Sequence, residues 1–274
     1  MKKSGLFILP LLIFAVVSVF GNRLFAAGGM SPAVLVALCA GSMLLMAAIR
    51  PKSNAGKASV DAGLTILDDF AKDAFHYDDK LSSKYQSAVA DYLNAMPKSA
   101  ISKLEKLQNV CKTDADTYAV SVALGLAKTT QGDFESAIKL YNKAIVLHPT
   151  TELAMAIGAA QQRIGELEQA RDSYDFALEL DPNNIEAFSA KATAYVGDGM
   201  FEEAITEARL ALEMDENHAS ALATCAICYG VLDDNLLCKS YTDKAVAAGY
   251  KADKISATIP ALKKKFKKTL AEYN

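Results

Sequence analysis

The stretch 151-TELAMAIGAAQQRIGELEQARDSYDFALELDPNN-184 decides the fold. Apolar or small residues recur at spacings of three and four in its first half, at Leu153, Ala154, Ile157, Gly158 and Ala160. They recur again in its second half, at Ala170, Tyr174, Ala177, Leu178 and Leu180. That spacing places one apolar stripe on each of two helices. Gly165 stands between them, where a left-handed residue ends a helix without a Cβ penalty. Pro182 stops the second helix, and Asn183–Asn184 offers a side-chain cap to the next one. A hairpin this short cannot bury both stripes by itself, so it calls for neighbours of the same kind.

The chain supplies them at a period of about 34 residues. The unit before carries Gly125, the turn Gly132-Asp133-Phe134, then Ala137, Tyr141, Ala144 and a closing Pro149. The unit after carries Ala192, Tyr195, the turn Gly199-Met200-Phe201, then Ala204, Ala208 and Ala211, with Glu216 in place of the proline. A weaker unit from Ala219 keeps Ala226, Tyr229 and Ala245 but puts Asp233 at the turn and Cys238 at an alanine position. A degenerate unit over Leu81–Asp114 keeps Ala88, Ala100, Leu104 and Leu107, with Ala95-Met96-Pro97 at its turn.

These small residues, turns and closing prolines resemble the tetratricopeptide repeat (TPR) family. The resemblance implies an all-α, right-handed superhelical TPR solenoid (an α-α superhelix) of about five helix pairs over 81–252, most regular at 118–218. It also implies a concave groove, lined by the first helix of each pair, that binds a protein or peptide partner. Carried over position by position, the groove candidates in the clearest repeat are Glu152, Met155, Ala159, Gln162 and Arg163. The preceding repeat gives Ala119, Val122, Leu126, Thr129 and Thr130, and the following one Glu186, Ser189, Thr193 and Val196. The degenerate repeat adds Tyr85, Val89 and Tyr92. The chaperone-binding members of the family clamp a C-terminal carboxylate with Lys, Asn and Arg; Arg163 alone supplies a cation here, which excludes that subset. A mixed-to-apolar groove suits an extended apolar peptide or an amphipathic helix. The alternative is that the protein's own flanking helices cover part of this face.

Ahead of the repeats lie two apolar stretches, about 4–22 and 30–49, each long enough to cross a hydrocarbon core about 30 Å thick. They predict a transmembrane helical hairpin over 1–50, with a linker at 51–58 and small residues Ala33, Ala37 and Gly41 for helix packing. Lys2, Lys3, Arg50, Lys52 and Lys57 flank the hairpin outside and Arg23 lies in its loop. By the positive-inside rule the N-terminus and the repeat domain are cytoplasmic. A cleaved signal peptide is the competing reading of the first stretch.

The net charge of −3 conceals three blocks: +6 over 1–57, −14 over 58–250 and +5 over 251–274. An acidic solenoid is a poor nucleic-acid binder, since phosphate contacts need clustered Lys and Arg. The five cysteines suit small buried residues in a reducing compartment. Cys225-Ala226-Ile227-Cys228 raises a redox or zinc site, with His218 and Cys238 as further ligands, but it falls inside a first helix at the positions of Ile157 and Ala160, which are expected to be buried.

Two flanking segments are amphipathic. Residues 59–80 predict an N-terminal capping helix with Val60, Leu64, Leu67, Ala71, Ala74 and Phe75 near one face. Residues 253–274 predict a basic C-terminal capping helix starting around Thr258, with the stripe Ile259, Leu262, Phe266, Leu270 and Tyr273. Its lysines, Lys263, Lys264, Lys265, Lys267 and Lys268, either solvate the end of the solenoid or touch anionic lipid or an acidic partner. No P-loop, G-x-S-x-G or H-E-x-x-H motif is present, so the chain reads as a non-enzyme without a cofactor or metal. The expected role is a membrane-anchored adaptor; the rival is a structural subunit of a membrane complex.

Overall fold

The computed structural model describes Ala71 and residues 74–267. The two apolar stretches, the linker and most of the first capping segment lie outside these residues. Among the described residues there is no strand, and no helix is long and apolar enough to cross a membrane.

From Asp79 to Lys265, eleven helices follow one another among the described residues: α1 Asp79–Leu93, α2 Pro97–Gln108, α3 Asp114–Gln131, α4 Phe134–Leu147, α5 Thr151–Ile164, α6 Leu167–Leu180, α7 Ile185–Asp198, α8 Phe201–Met214, α9 Ala219–Val231, α10 Asn235–Ala247 and α11 Ala252–Lys265. The first ten form five antiparallel pairs, each packed on the next, so the described part is an all-helical solenoid.

The local sequence explains each boundary. Gly132, Gly165 and Gly199 end α3, α5 and α7 at φ +82°, +89° and +79°, and Asp233 takes the same left-handed role after α9 at φ +65°. At Gly165 the next amide, Glu166 N–H, reaches back to the Gln161 carbonyl at 3.0 Å, satisfying an acceptor the helix end would leave orphaned. Thr150 caps α5 by accepting from Leu153 N–H at 3.2 Å, and Asn184 caps α7 by accepting from Ala187 N–H at 2.9 Å.

The small-residue signature has a steric cause. A Cβ on Gly158 would stand 2.5 Å from the Tyr174 ring, and one on Gly125 would strike Tyr141. Each buried ring fills the space its partner glycine vacates, contributing about 2–3 kcal/mol. In the next pair Ala192 and Ala208 hold the equivalent positions, both fully buried, so a glycine–tyrosine contact is replaced by an alanine–alanine one. Lys191 then ties three helices together, its Nζ lying 2.7 Å from Asp175 on α6 and 2.8 Å from Glu207 on α8.

Two expectations about the flanks change. Residues 74–77 form a turn, with Phe75 at φ +59°, and Asp78 caps α1 by accepting from Lys80 and Leu81 N–H; no helix runs through to residue 80. At the other end α11 starts at Ala252, not near Thr258, so Pro260 lies inside the helix. Ile255 before the proline and Ile259, Leu262 and Phe266 around it all pack on the solenoid, which holds the helix through a residue that would otherwise break it.

Candidate functional site

The groove positions expected from the repeat resemblance differ from repeat to repeat. In α5 the groove positions are open: Glu152, Ala159 and Arg163 are exposed, and Met155 and Gln162 are half-buried. Gln162 Oε1 accepts from the Tyr174 hydroxyl at 3.0 Å, and the Arg163 guanidinium lies 5.4 Å from the centre of the Phe134 ring. These contacts hold both side chains at the rim. In α7 Glu186 and Thr193 are exposed and Val196 is half-buried, whereas Ser189 is buried. The Thr193 hydroxyl is spent on the Ser189 carbonyl at 3.0 Å, a local bond within the helix.

The first end is closed. Ala119, Val122 and Leu126 of α3 are buried, as are Tyr85 and Tyr92 of α1, and all share one core with Ala71, Ala74 and Phe75. Tyr85, Tyr92, Val122, Leu126 and Ser189, expected on the groove, are thus buried within the described residues. Thr129 is half-buried, its hydroxyl 3.0 Å from that of Tyr141.

Asp116 ties this end shut, and nothing in the groove pattern singled it out. It is fully buried at the start of α3. Its Oδ1 accepts from Phe75 N–H at 2.7 Å; its Oδ2 accepts from the Tyr77 hydroxyl at 2.7 Å and from Lys112 and Thr113 N–H at 2.9 and 3.1 Å. Burial alone would raise its pKa, but these four donors outweigh it and hold the carboxyl down at about 2. Its bond to the Asp116 carboxylate, with burial and that charge beside it, pushes the Tyr77 hydroxyl up to about 12. The one available signal was Thr113-x-x-Asp116, a capping box whose hydroxyl and carboxylate both cap the helix start.

The far end is closed too. The equivalent groove positions of α9 are Ser220, Ala223, Ile227, Gly230 and Val231, and all but Ser220 are buried. α11 lies on them. A Cβ on Gly230 would stand 2.5 Å from Ile259. Phe266 packs edge-on to Phe201 with centroids 5.7 Å apart, and Lys265 Nζ donates to the Gly197 carbonyl at 2.7 Å.

Cys225 and Cys228 sit in the same buried layer, among Ala192, Ala208, Ala211 and Ala221 on one side and Leu222, Ala226 and Val231 on the other. Burial pushes both thiols up, Cys225 to about 12, which is the reverse of what a nucleophilic or metal-binding thiolate needs. The pair is core packing.

Tetratricopeptide repeat models match residues 122–185 and 185–218. No curated protein matches the sequence. Among solved structures, a MamA fragment from Desulfovibrio magneticus RS-1 superposes with a TM-score of 0.56 at 18% identity, covering 62% of this chain and 95% of its own. YrrB, described as a TPR protein with an unusual peptide-binding site, gives 0.53 at 18% identity, covering 66% of this chain and 93% of its own. At such identity the likeness is one of fold. Repeat spacing, left-handed turns and glycine–tyrosine contacts agree with these matches: residues 122–218 of this chain match tetratricopeptide repeat models.

Proposed function

We propose that this chain is a non-enzymatic scaffold that binds a protein partner through the open middle of its concave face. The observation that carries the reading is the contrast in exposure along one face: α5 and α7 present Met155, Ala159, Gln162, Arg163 and Thr193, while Val122 and Leu126 before them and Ile227, Gly230 and Val231 after them are buried. A window two helices wide, apolar at Met155 and Ala159 and rimmed by Glu152, Glu186 and Arg163, suits a short extended peptide or one amphipathic helix. The peptide-binding site named for YrrB points the same way by analogy.

In this reading the two apolar stretches at 4–22 and 30–49 hold the scaffold at a membrane, with the N-terminus and repeats on the cytoplasmic side. The acidic block from 58 to 250 supports a domain held off an anionic bilayer and gives no surface for nucleic acid.

Met155→Glu tests the groove. The full-length protein should capture a partner in pull-downs that the variant loses, with an unchanged melting temperature; capture undiminished by Met155→Glu removes the groove reading. Orientation needs a reporter other than Cys225, which is buried. An exposed cysteine at Ser83 should escape a membrane-impermeant thiol reagent on intact cells and react after lysis. Labelling on intact cells reverses the topology.

A further inference from the structure

We propose that α11 is a displaceable strap that occupies the α9 end of the groove, where it stands in for an amphipathic, basic helix of the partner. The inference rests on reading the concave face as the binding site. Its first support is positional. When one repeat follows another regularly, the groove positions of the earlier first helix stay open, as α7 leaves Ala159 and Arg163 of α5 exposed. α11 does not stack that way. It leans mainly on α9, the groove-lining helix, rather than on α10, and its end reaches past α9 to the α7–α8 turn at Gly197, Gly199 and Phe201. It therefore covers Ile227, Gly230 and Val231 and abuts Val196, all of them groove positions by repeat register.

The second support is the chemistry of the contact. Ile255, Ile259, Leu262 and Phe266 recur at four, three and four residues, the anchor pattern of a helix laid in a groove. Lys264, Lys265 and Lys267 are exposed around them, and Lys263 pairs with the exposed Asp233. A partner helix of the same pattern, apolar on one face and lysine- or arginine-rich on the others, fits both the covered floor and the acidic rim of Asp233 and Asp234.

The third support is the lightness of the hold. Among the described residues of α11 only Ile255 is fully buried; the other three anchors are half-exposed. Its polar ties are the exposed Lys263–Asp233 pair, which contributes little, and one bond to a backbone carbonyl. α9 beneath it is buried from Ala221 to Cys228 without a break.

The test uses a fluorescein-labelled peptide of residues 252–267, ADKISATIPALKKKFK, added to the full-length protein. The Ile259→Ala/Phe266→Ala variant, whose strap is loosened, should capture the peptide at least about tenfold more tightly than the native chain, because a groove occupied from within taxes the apparent affinity. Equal capture by both, or none by either, overturns the proposal. Hydrogen exchange on the native chain gives a reading that needs no variant: α11 amides should exchange at least about tenfold sooner than those of α9 and α10. Equal protection of all three makes α11 part of the solenoid body and also overturns it. Neither measurement needs the natural partner. A failed strap leaves the α5–α7 window to be tested by Met155→Glu, and a failed Met155→Glu leaves the peptide result standing.

Discussion

α5 and α9 occupy the same place in repeats two apart and meet opposite fates. Ala159 and Arg163 of α5 are exposed and Met155 and Gln162 half-buried; Ala223, Ile227, Gly230 and Val231 of α9, in the same register, are buried. The backbone is not the cause, since a left-handed residue follows both helices within two positions and both pair with their second helix. The next helix decides. α7 stacks beside α5 and leaves its inner face bare, whereas α11 lies over that of α9. The side chains had already adapted. α5 places Glu152, Gln162 and Arg163 on the groove, while α9 carries no charged residue from Ala219 to Val231. A repeat's register thus states where a surface would be, and its polarity states whether that surface is free.

The comparison can be attacked at several points, from the costliest substitution to the cheapest. Asp116→Ala should be the most damaging, because it strips four donors of their acceptor and loosens the other covered end; a loss of about 4 kcal/mol in urea unfolding is expected. The pH dependence follows the same group. Its folded pKa of about 2 lies below its ordinary 3.8, so its contribution is full above about pH 4 and disappears as pH falls through 2. Asp116→Asn should flatten stability over that interval, and an unchanged acid limb would separate Asp116 from the closure.

Gly158→Val comes next, at about 3 kcal/mol, because the added atoms overlap the Tyr174 ring. In a Tyr174→Ala background the same change should cost at least about 1 kcal/mol less; additivity would show that the two do not touch. The paired substitutions Ile227→Gln and Met155→Gln test the two faces directly. The first should destabilise by about 2 kcal/mol, as a buried amide without a partner, and the second by less than about 0.5 kcal/mol. Similar costs would erase the distinction between a covered and an open register. Lys263→Ala should barely register in thermal unfolding, below about 0.5 kcal/mol, because its pair with Asp233 is solvent-exposed.

The repeat sequence declared most of the fold. Gly132, Gly165 and Gly199 announced the turns, Gly158 and Ala170 the close approaches, and the closing Asp181-Pro182-Asn183-Asn184 the next helix start. These are local requirements, and local requirements are written at fixed spacing. Groove occupancy is not local. Val122 and Leu126 match open positions of α5 in register, yet they are buried by a packing that begins at Ala71, about fifty residues earlier. Pro260 misled for a related reason: its intrinsic preference is for a helix start, and tertiary anchors on either side overrode it. Asp116 was legible only as a helix cap, since its bonds to Phe75 and Tyr77 span about forty residues. The Cys225–Cys228 spacing was the opposite case, a motif whose helical register showed it to be filler.

Those two thiols have a use of their own. Buried on both sides of α9 and held protonated well above neutral pH, they stay silent towards alkylating reagents for as long as α9 keeps its neighbours. The rate at which they become reactive is then a chemical clock for the opening of the last repeat, built into the native chain and readable by mass without any added label.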